Sequence, residues 1–330
     1  MIISKTPVRI SFFGGGTDYR EYFEREGGAV LGATIDKHTY VSVNRLSDFF
    51  EYKIRVGYSK AELVNDVNDI KHPSVRETLK FKKISGNLDI HIFSDLPART
   101  GLGSSSSFTV GFLNALYALE GKVISPKQLA EEATYIEQQL IRENVGCQDQ
   151  IHAAYGGLNK IEFNKLGILV KPVVITKEKY DCLNESLMIF YTGLTRLASE
   201  VAREQAENTK SCNLDAYLRR MRQMVYDAEK IISDEKPDVM VQRLGELLNE
   251  GWDIKKRLSS KITNSVIDEN YHVAMKAGAY GGKLAGAGGG GFMFLFVPKE
   301  KQTSVRQALS LMEVSFRFEN EGSKIIYFTD

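Results

Sequence analysis

Pro97 to Ser107 reads Pro-Ala-Arg-Thr-Gly-Leu-Gly-Ser-Ser-Ser-Ser, two glycines and four hydroxyls where an alternating pattern gives way to an apolar helical one. Gly101 and Gly103 can take positive φ and expose backbone N–H groups, and the helix that follows presents unpaired N–H groups of its own. Such a segment suits a phosphate. A P-loop does not fit, because no lysine follows either glycine before the helix begins. A dinucleotide fingerprint occurs at Gly286-Ala-Gly288-Gly-Gly-Gly291, but it runs into Phe292-Met-Phe294-Leu-Phe296, which alternates like a strand where the fingerprint needs a helix. The competing reading of Pro97–Ser107 is a surface loop capped by serine.

The elements that must position this loop can be read around it. Leu88, Ile90 and Ile92 alternate with Asp89 and His91, a half-buried strand delivering the chain to Pro97. Phe108, Phe112, Leu116 and Leu119 recur at helical spacing, and Glu120-Gly121 supplies the stop. Ser125-Pro126-Lys127-Gln128 is a capping box, after which Leu129, Ala133, Ile136 and Leu140 form one apolar face. Upstream, residues 1–14 and 29–45 are extended runs broken by Gly14-Gly15-Gly16 and Gly27-Gly28. From about residue 186 the pattern changes to a short strand through Tyr191. Helical stretches at 214–232 and 239–252 follow, with Pro237 between them, then strands at 292–297 and 325–328 around a helix at 303–312. Two domains are expected, 1–180 and 181–330, of mixed α and β content.

Composition narrows the partners. Lys and Arg number 43 against 42 Asp and Glu, with no long block of one sign, so neither nucleic acid nor a membrane surface is expected to be drawn by charge. Cys147, Cys182 and Cys212 are widely spaced with no Cys-x-x-Cys pair, which speaks against a disulfide framework or structural zinc. No apolar run approaches the roughly 18 residues of a membrane span. The expectation is a cytoplasmic enzyme acting on small molecules.

Three glycine-bearing segments stand out together: Pro7-Val8-Arg9 through Gly14-Gly15-Gly16-Thr17-Asp18-Tyr19, the loop at 97–107, and Lys283-Leu284-Ala285 through Gly286–Gly291. This set resembles the GHMP small-molecule kinases over nearly the whole chain. Gly146-Cys147-Gln148-Asp149-Gln150 and Tyr191-Thr192-Gly193-Leu194-Thr195-Arg196 look most like members that act on a phosphorylated sugar. The resemblance implies an α+β fold, with a ribosomal-protein S5 domain 2-like N-terminal domain, a ferredoxin-like C-terminal domain and the active site between them. It also implies ATP as phosphoryl donor, Mg2+ as the bridging ion and the anomeric hydroxyl of a sugar phosphate as acceptor. A homodimer is compatible with it.

Carried over residue by residue, the resemblance makes Asp149 the group beside the acceptor hydroxyl, as general base or orienting acceptor, with Arg9 the cation next to it. Pro97, Arg99, Thr100, Gly101, Leu102, Gly103, Ser104, Ser105, Ser106 and Ser107 would wrap the triphosphate, and Ser105 and Glu137 would hold magnesium. Gly15, Gly16, Thr17, Asp18 and Tyr19 would face the sugar, and Thr192, Arg196, Lys283 and Lys37 are candidates for its phosphate. Each has a plainer reading. Arg9 in a first strand is an exposed edge charge, Glu137 a solvated glutamate beside an apolar face, Asp149 an acid favoured by a helix dipole, and Lys283 part of a turn entering a strand. Galactokinase carries Glu-His where this chain has Gly15-Gly16, a departure that argues against galactose and leaves room for a larger sugar. A kinase of another sugar such as fucose or arabinose, a silent binding protein and a nicotinamide-dependent oxidoreductase are the alternatives.

Overall fold

The computed structural model describes residues 1–98, 100–193, 204, 214–259 and 261–329. Among these residues nine strands form one mixed sheet and four form a second, antiparallel one. In the first, β1 (Ile2–Phe13) pairs along nearly its whole length with the 18-residue β2 (Gly28–Arg45). Between Gly28–Ala33 and Thr39–Arg45, the other edge of β2 is lined in turn by Leu158–Phe163, Phe318–Glu319 and Leu88–Ser94. The β1–β2 register shifts just after Pro7, whose ring removes a ladder donor. Among the described residues, only Ile2–Lys5 of β1 is covered on the far edge, by the strand Lys324–Phe328. Arg9 therefore has a free backbone N–H, which donates to Leu102 O at 2.9 Å and ties the strand to the glycine loop.

The strand Leu88–Ser94 and the helix Ser104–Leu119 lie where expected, and the helix stops before Gly121 with φ +71°. Ser125 caps the next helix, Pro126–Tyr135, through Gln128 N–H at 3.2 Å. That helix departs from the expected continuous face: Ile136–Ile141 is a π-helical turn ending at Arg142 in the left-handed region. The extra residue rotates the side chains, leaving Leu140 half-buried and driving Glu137 fully inside.

The second sheet joins Leu187–Tyr191, Gly281–Leu284, Phe292–Phe296 and Met312–Glu313, with the helices Asp215–Asp234, Pro237–Lys255, Ser265–Lys276 and Gln302–Leu309 around it. It carries the core of Trp252, Leu218, Phe190 and Leu295. The two sheets meet in a shared core at the end of β1, distinct from the Trp252 cluster: Phe12 packs edge-on against Phe294 at 6.1 Å and Phe318 at 6.2 Å. The helix expected at 303–312 is shorter, because Ser310 turns left-handed and Met312–Glu313 pairs with Tyr191 and Phe190. Phe318–Glu319 and Lys324–Phe328 cross back to pair with β2 and β1. The tail of the expected 181–330 unit thus adds strands to the first sheet.

Candidate active site

Arg9 is buried, not an edge charge. Its Nε and Nη2 donate to the two oxygens of Asp149 at 2.8 Å each, and Nη1 donates to Gly101 O at 2.7 Å. The fork therefore fixes the plane of a carboxylate at the start of the helix Gln148–Tyr155 and the backbone of the glycine loop together. Asp149 keeps 26% of its side chain exposed, so one face is open to a hydroxyl.

Gly103, with φ +77°, precedes the helix Ser104–Leu119, and a Cβ there would sit 3.3 Å from Asp149 Oδ2. No side chain caps this helix, so its first N–H groups point out beside the Arg9–Asp149 pair, an arrangement that favours an anion. Gly101, with φ +87°, lies against the second glycine segment: a Cβ on it would come within 2.5 Å of Ala285 O. Phe292 N–H donates to Thr100 O at 3.3 Å across the same contact. Within the expected cradle the residues divide. Thr100 Oγ1 is spent on Pro97 O at 2.8 Å, Leu102 is buried, and Ser107 Oγ is spent on Pro7 O at 2.7 Å. These three turn inward as supports, leaving Gly101, Gly103, Ser104 and Ser105 at the surface of the loop. Arg99 lies outside the described residues.

Glu137 is fully buried beneath this loop. Ser106 Oγ donates to its Oε2 at 2.9 Å, as does Gln150 Nε2 at 2.5 Å, while Oε1 has no partner. The serine expected to share a cation with Glu137 was Ser105; the structure exposes Ser105 and turns the next hydroxyl, one helical step on, toward the carboxylate. Burial pushes the Glu137 carboxyl up to about 7, opposed by the nearby hydroxyls of Thr109 and Ser106 and the Gln150 amide, the Thr109 hydroxyl itself donating to Ser105 O at 3.3 Å. Among the described residues no three His, Cys, Asp or Glu side chains converge.

Gly14–Tyr19 forms the neighbouring turn. Asp18 is 2% exposed and accepts from Gly16 N–H at 3.0 Å and from Gln148 N–H and Nε2 at 3.3 and 3.1 Å. Burial, then the charge of Asp149, raises its carboxyl above the usual range. Asp18 thereby ties the triple-glycine turn to the residue preceding Asp149. Thr17, expected to face the sugar, instead donates to Gly14 O and Ala29 O at 2.8 Å each and is buried. Tyr19 keeps partial exposure, and burial with the charges of Asp18 and Asp149 holds its phenol proton tightly. Gly15 stays partly open beside Ser11 and Gln148, and Gly16 is buried with φ +103°.

The expected phosphate ligands are mostly placed elsewhere. Lys283 is buried, with Nζ on Phe12 O at 2.7 Å, and burial drives its amine well below the ordinary value. Thr192 Oγ1 donates to Gly291 O at 2.9 Å, fastening the glycine turn to the strand Leu187–Tyr191. Lys37 pairs with Asp36 at 3.0 Å. Arg196 lies outside the described residues. Sequence reasoning missed Gln148 and Gln150, whose only signal was their position either side of Asp149. It also missed Lys255, which lies three residues beyond the helical stretch expected at 239–252.

Against this geometry, the GHMP kinases N terminal domain matches residues 71–157, and the GHMP kinases C terminal domain matches residues 240–312. The chain is 30% identical over 336 residues to the D-glycero-alpha-D-manno-heptose 7-phosphate kinase of Campylobacter jejuni, covering 98% of each chain. It belongs to the GHMP kinases. A putative sugar kinase from Campylobacter jejuni superposes with a TM-score of 0.74 at 27% identity, over 98% of this chain and 97% of that one. A D-glycero-D-manno-heptose 1-phosphate kinase from Bacteroides thetaiotaomicron superposes at 0.79 and 22% identity over the whole of both chains. The protein is thus a GHMP phosphotransferase with an alcohol group as acceptor, and its two-part α+β architecture is that of the family. Among the described residues, no helix of this kinase is long and apolar enough to cross a membrane.

Proposed function

We propose that this kinase transfers the γ-phosphoryl group of ATP to the anomeric hydroxyl of D-glycero-α-D-manno-heptose 7-phosphate, giving the 1,7-bisphosphate. The observation that carries the substrate is the end-to-end match to a kinase named for that sugar. Gly15, partly open beside Ser11 and Gln148, is consistent with it, since galactokinase carries a larger side chain there.

In this reading the triphosphate lies along Gly101–Ser106, where the first N–H groups of the helix Ser104–Leu119 face outward. Asp149, its plane fixed by Arg9, orients the hydroxyl through its open face and accepts the proton. The bond between the anomeric oxygen and phosphorus forms as the bond to the ADP oxygen breaks. Arg9 adds a fixed positive charge beside the transferred group, the kind of preorganised stabilisation on which phosphoryl transfer depends. Glu137 fits a magnesium ion: its Oε1 is a buried oxygen with no partner, and serine hydroxyls lie in the adjacent helical turn. Glu137, with the Ser106 hydroxyl beside it, would hold such an ion, which when bound would supply neutralising charge to the triphosphate. Arg196 is the remaining candidate for the 7-phosphate. We expect the protein to work as a soluble cytoplasmic enzyme.

The test is a comparison of kcat/KM, with ATP and magnesium present, for the heptose 7-phosphate, the free heptose, fucose, galactose and mevalonate. The heptose 7-phosphate should exceed each of the others by at least about a hundredfold, a discrimination of roughly 3 kcal/mol. A preference for an unphosphorylated sugar or for mevalonate reassigns the substrate.

A further inference from the structure

The helix Pro237–Lys255 ends on a lysine that points inward. Lys255 is buried, and its amine donates to two backbone carbonyls, Leu284 O at 3.2 Å and Gly286 O. Among the described residues it has no carboxylate partner. The charge facing it is that of Arg9, of its own sign, and the amine of Lys283 lies close by. With burial, the Arg9 charge drives its amine down to about 7. An apolar side chain of the same length would be cheaper to bury, so what the amine holds is informative.

The two carbonyls flank Ala285, and Ala285–Gly286 is the surface on which the phosphate loop rests. A Cβ added at Gly286 would stand 2.5 Å from Gly101 Cα, as close as one at Gly101 would stand to Ala285 O. Gly101 O in turn receives Arg9 Nη1, and the same guanidinium holds Asp149. One amine thus braces a stack that runs from the glycine turn through the loop to the Arg9–Asp149 pair.

Resting on the kinase reading above, we propose that Lys255 is a positioning residue for nucleotide binding: it locks Leu284–Gly286 in the conformation that Gly101–Gly103 requires, without itself touching ATP. The test compares Lys255→Met, which keeps the length and removes the donor, with Lys255→Gln, which keeps a neutral donor. Calorimetric titration measures ATP and the sugar phosphate separately, and thermal unfolding is followed alongside. We expect Lys255→Met to weaken ATP by about tenfold or more while the sugar phosphate changes less than about twofold, with Lys255→Gln intermediate. Equal ATP affinity in the wild type and Lys255→Met overturns the proposal, as does parallel loss of both ligands in the two variants. Should Lys255→Met fail to fold, Lys255→Gln decides: selective weakening of ATP supports the brace, and unchanged or unselective binding overturns it. A wild-type protein that binds no ATP overturns the kinase reading and this inference with it.

Discussion

Ser106 Oγ donates to Glu137 Oε2 at 2.9 Å beneath the first turn of the helix Ser104–Leu119, leaving Oε1 of the same carboxylate buried and without a partner. A glutamate sealed in this way is costly to ionise unless a cation or a donor arrives. The helix N-terminus, the hydroxyl and the open oxygen together account for a residue that is otherwise out of place in a core of Val110, Leu113, Ala133 and Ile136.

Glu137 therefore gives a pH signature in the metal-free protein. Its carboxyl titrates near 7 when folded, against an ordinary value of 4.5, so the folded state holds the extra proton between those values. Its contribution to stability is fully present below pH 4.5 and is lost as pH rises through 7, by an amount of order 3 kcal/mol. Urea unfolding of the wild type and of Glu137→Gln at pH 5 and pH 8, without magnesium, should show Gln gaining relative stability at the higher pH. A pH-independent difference between the two would remove this assignment. With magnesium and ATP present, the same substitution should lower kcat by at least about a hundredfold.

The Arg9–Asp149 pair is predicted to separate binding from chemistry. Asp149→Asn keeps an oxygen for Arg9 but cannot take a proton, so kcat should fall by about a thousandfold while ATP affinity stays within about threefold. Arg9→Lys keeps the charge and loses the fork that holds both carboxylate oxygens, and should cost at least about tenfold in kcat. Near-wild-type turnover by Asp149→Asn would show that the hydroxyl is activated elsewhere.

Gly101→Ala tests the packing of the two glycine segments. The added Cβ would meet Ala285 O at 2.5 Å in a backbone conformation of φ +87°, so a cost of about 1–3 kcal/mol and a clear loss of ATP affinity are expected. Gly121→Ala is the matched control, at φ +71° with nothing within 4 Å. It should carry backbone strain alone and leave ATP affinity unchanged, as read by denaturation and titration.

Arg196 is assigned to the substrate's phosphate on its residue type and its place after Tyr191-Thr192-Gly193. Arg196→Ala should raise KM for the phosphorylated sugar by at least about tenfold and leave KM for ATP nearly unchanged. Equal effects on both substrates would take that role away.

How far the sequence revealed this arrangement depended on the range of the signal. The strand at Leu88–Ser94, the stop at Gly121 and the Ser125 cap are local patterns, legible because periodicity and capping chemistry act within a few residues. The glycine turn at 286–291 was correctly read as entering a strand. The π turn at Ile136–Ile141 was not legible, since one extra residue in a helical ring leaves the apolar pattern nearly intact yet changes which side chain is buried. Four consecutive serines are chemically identical, so only the helical phase set by Gly103 could favour Ser106 over Ser105 as the partner of Glu137. Thr17, Thr192 and Lys283 looked like ligands because hydroxyls and amines bind ligands, but each is consumed by a backbone carbonyl distant in sequence. Lys255 lies at the end of a helix, where the dipole favours any cation, and only tertiary contact shows that it is buried on the carbonyls of Leu284 and Gly286.

The most direct measurement of the central claim is phosphorus NMR of the purified protein turning over D-glycero-α-D-manno-heptose 7-phosphate with ATP and magnesium. The account predicts ADP formation matched by a new phosphate resonance coupled to the anomeric proton, with the 7-phosphate resonance retained, and no such product from Asp149→Asn. Phosphorylation at another hydroxyl, or turnover of an unphosphorylated sugar with the heptose 7-phosphate left unchanged, would contradict it.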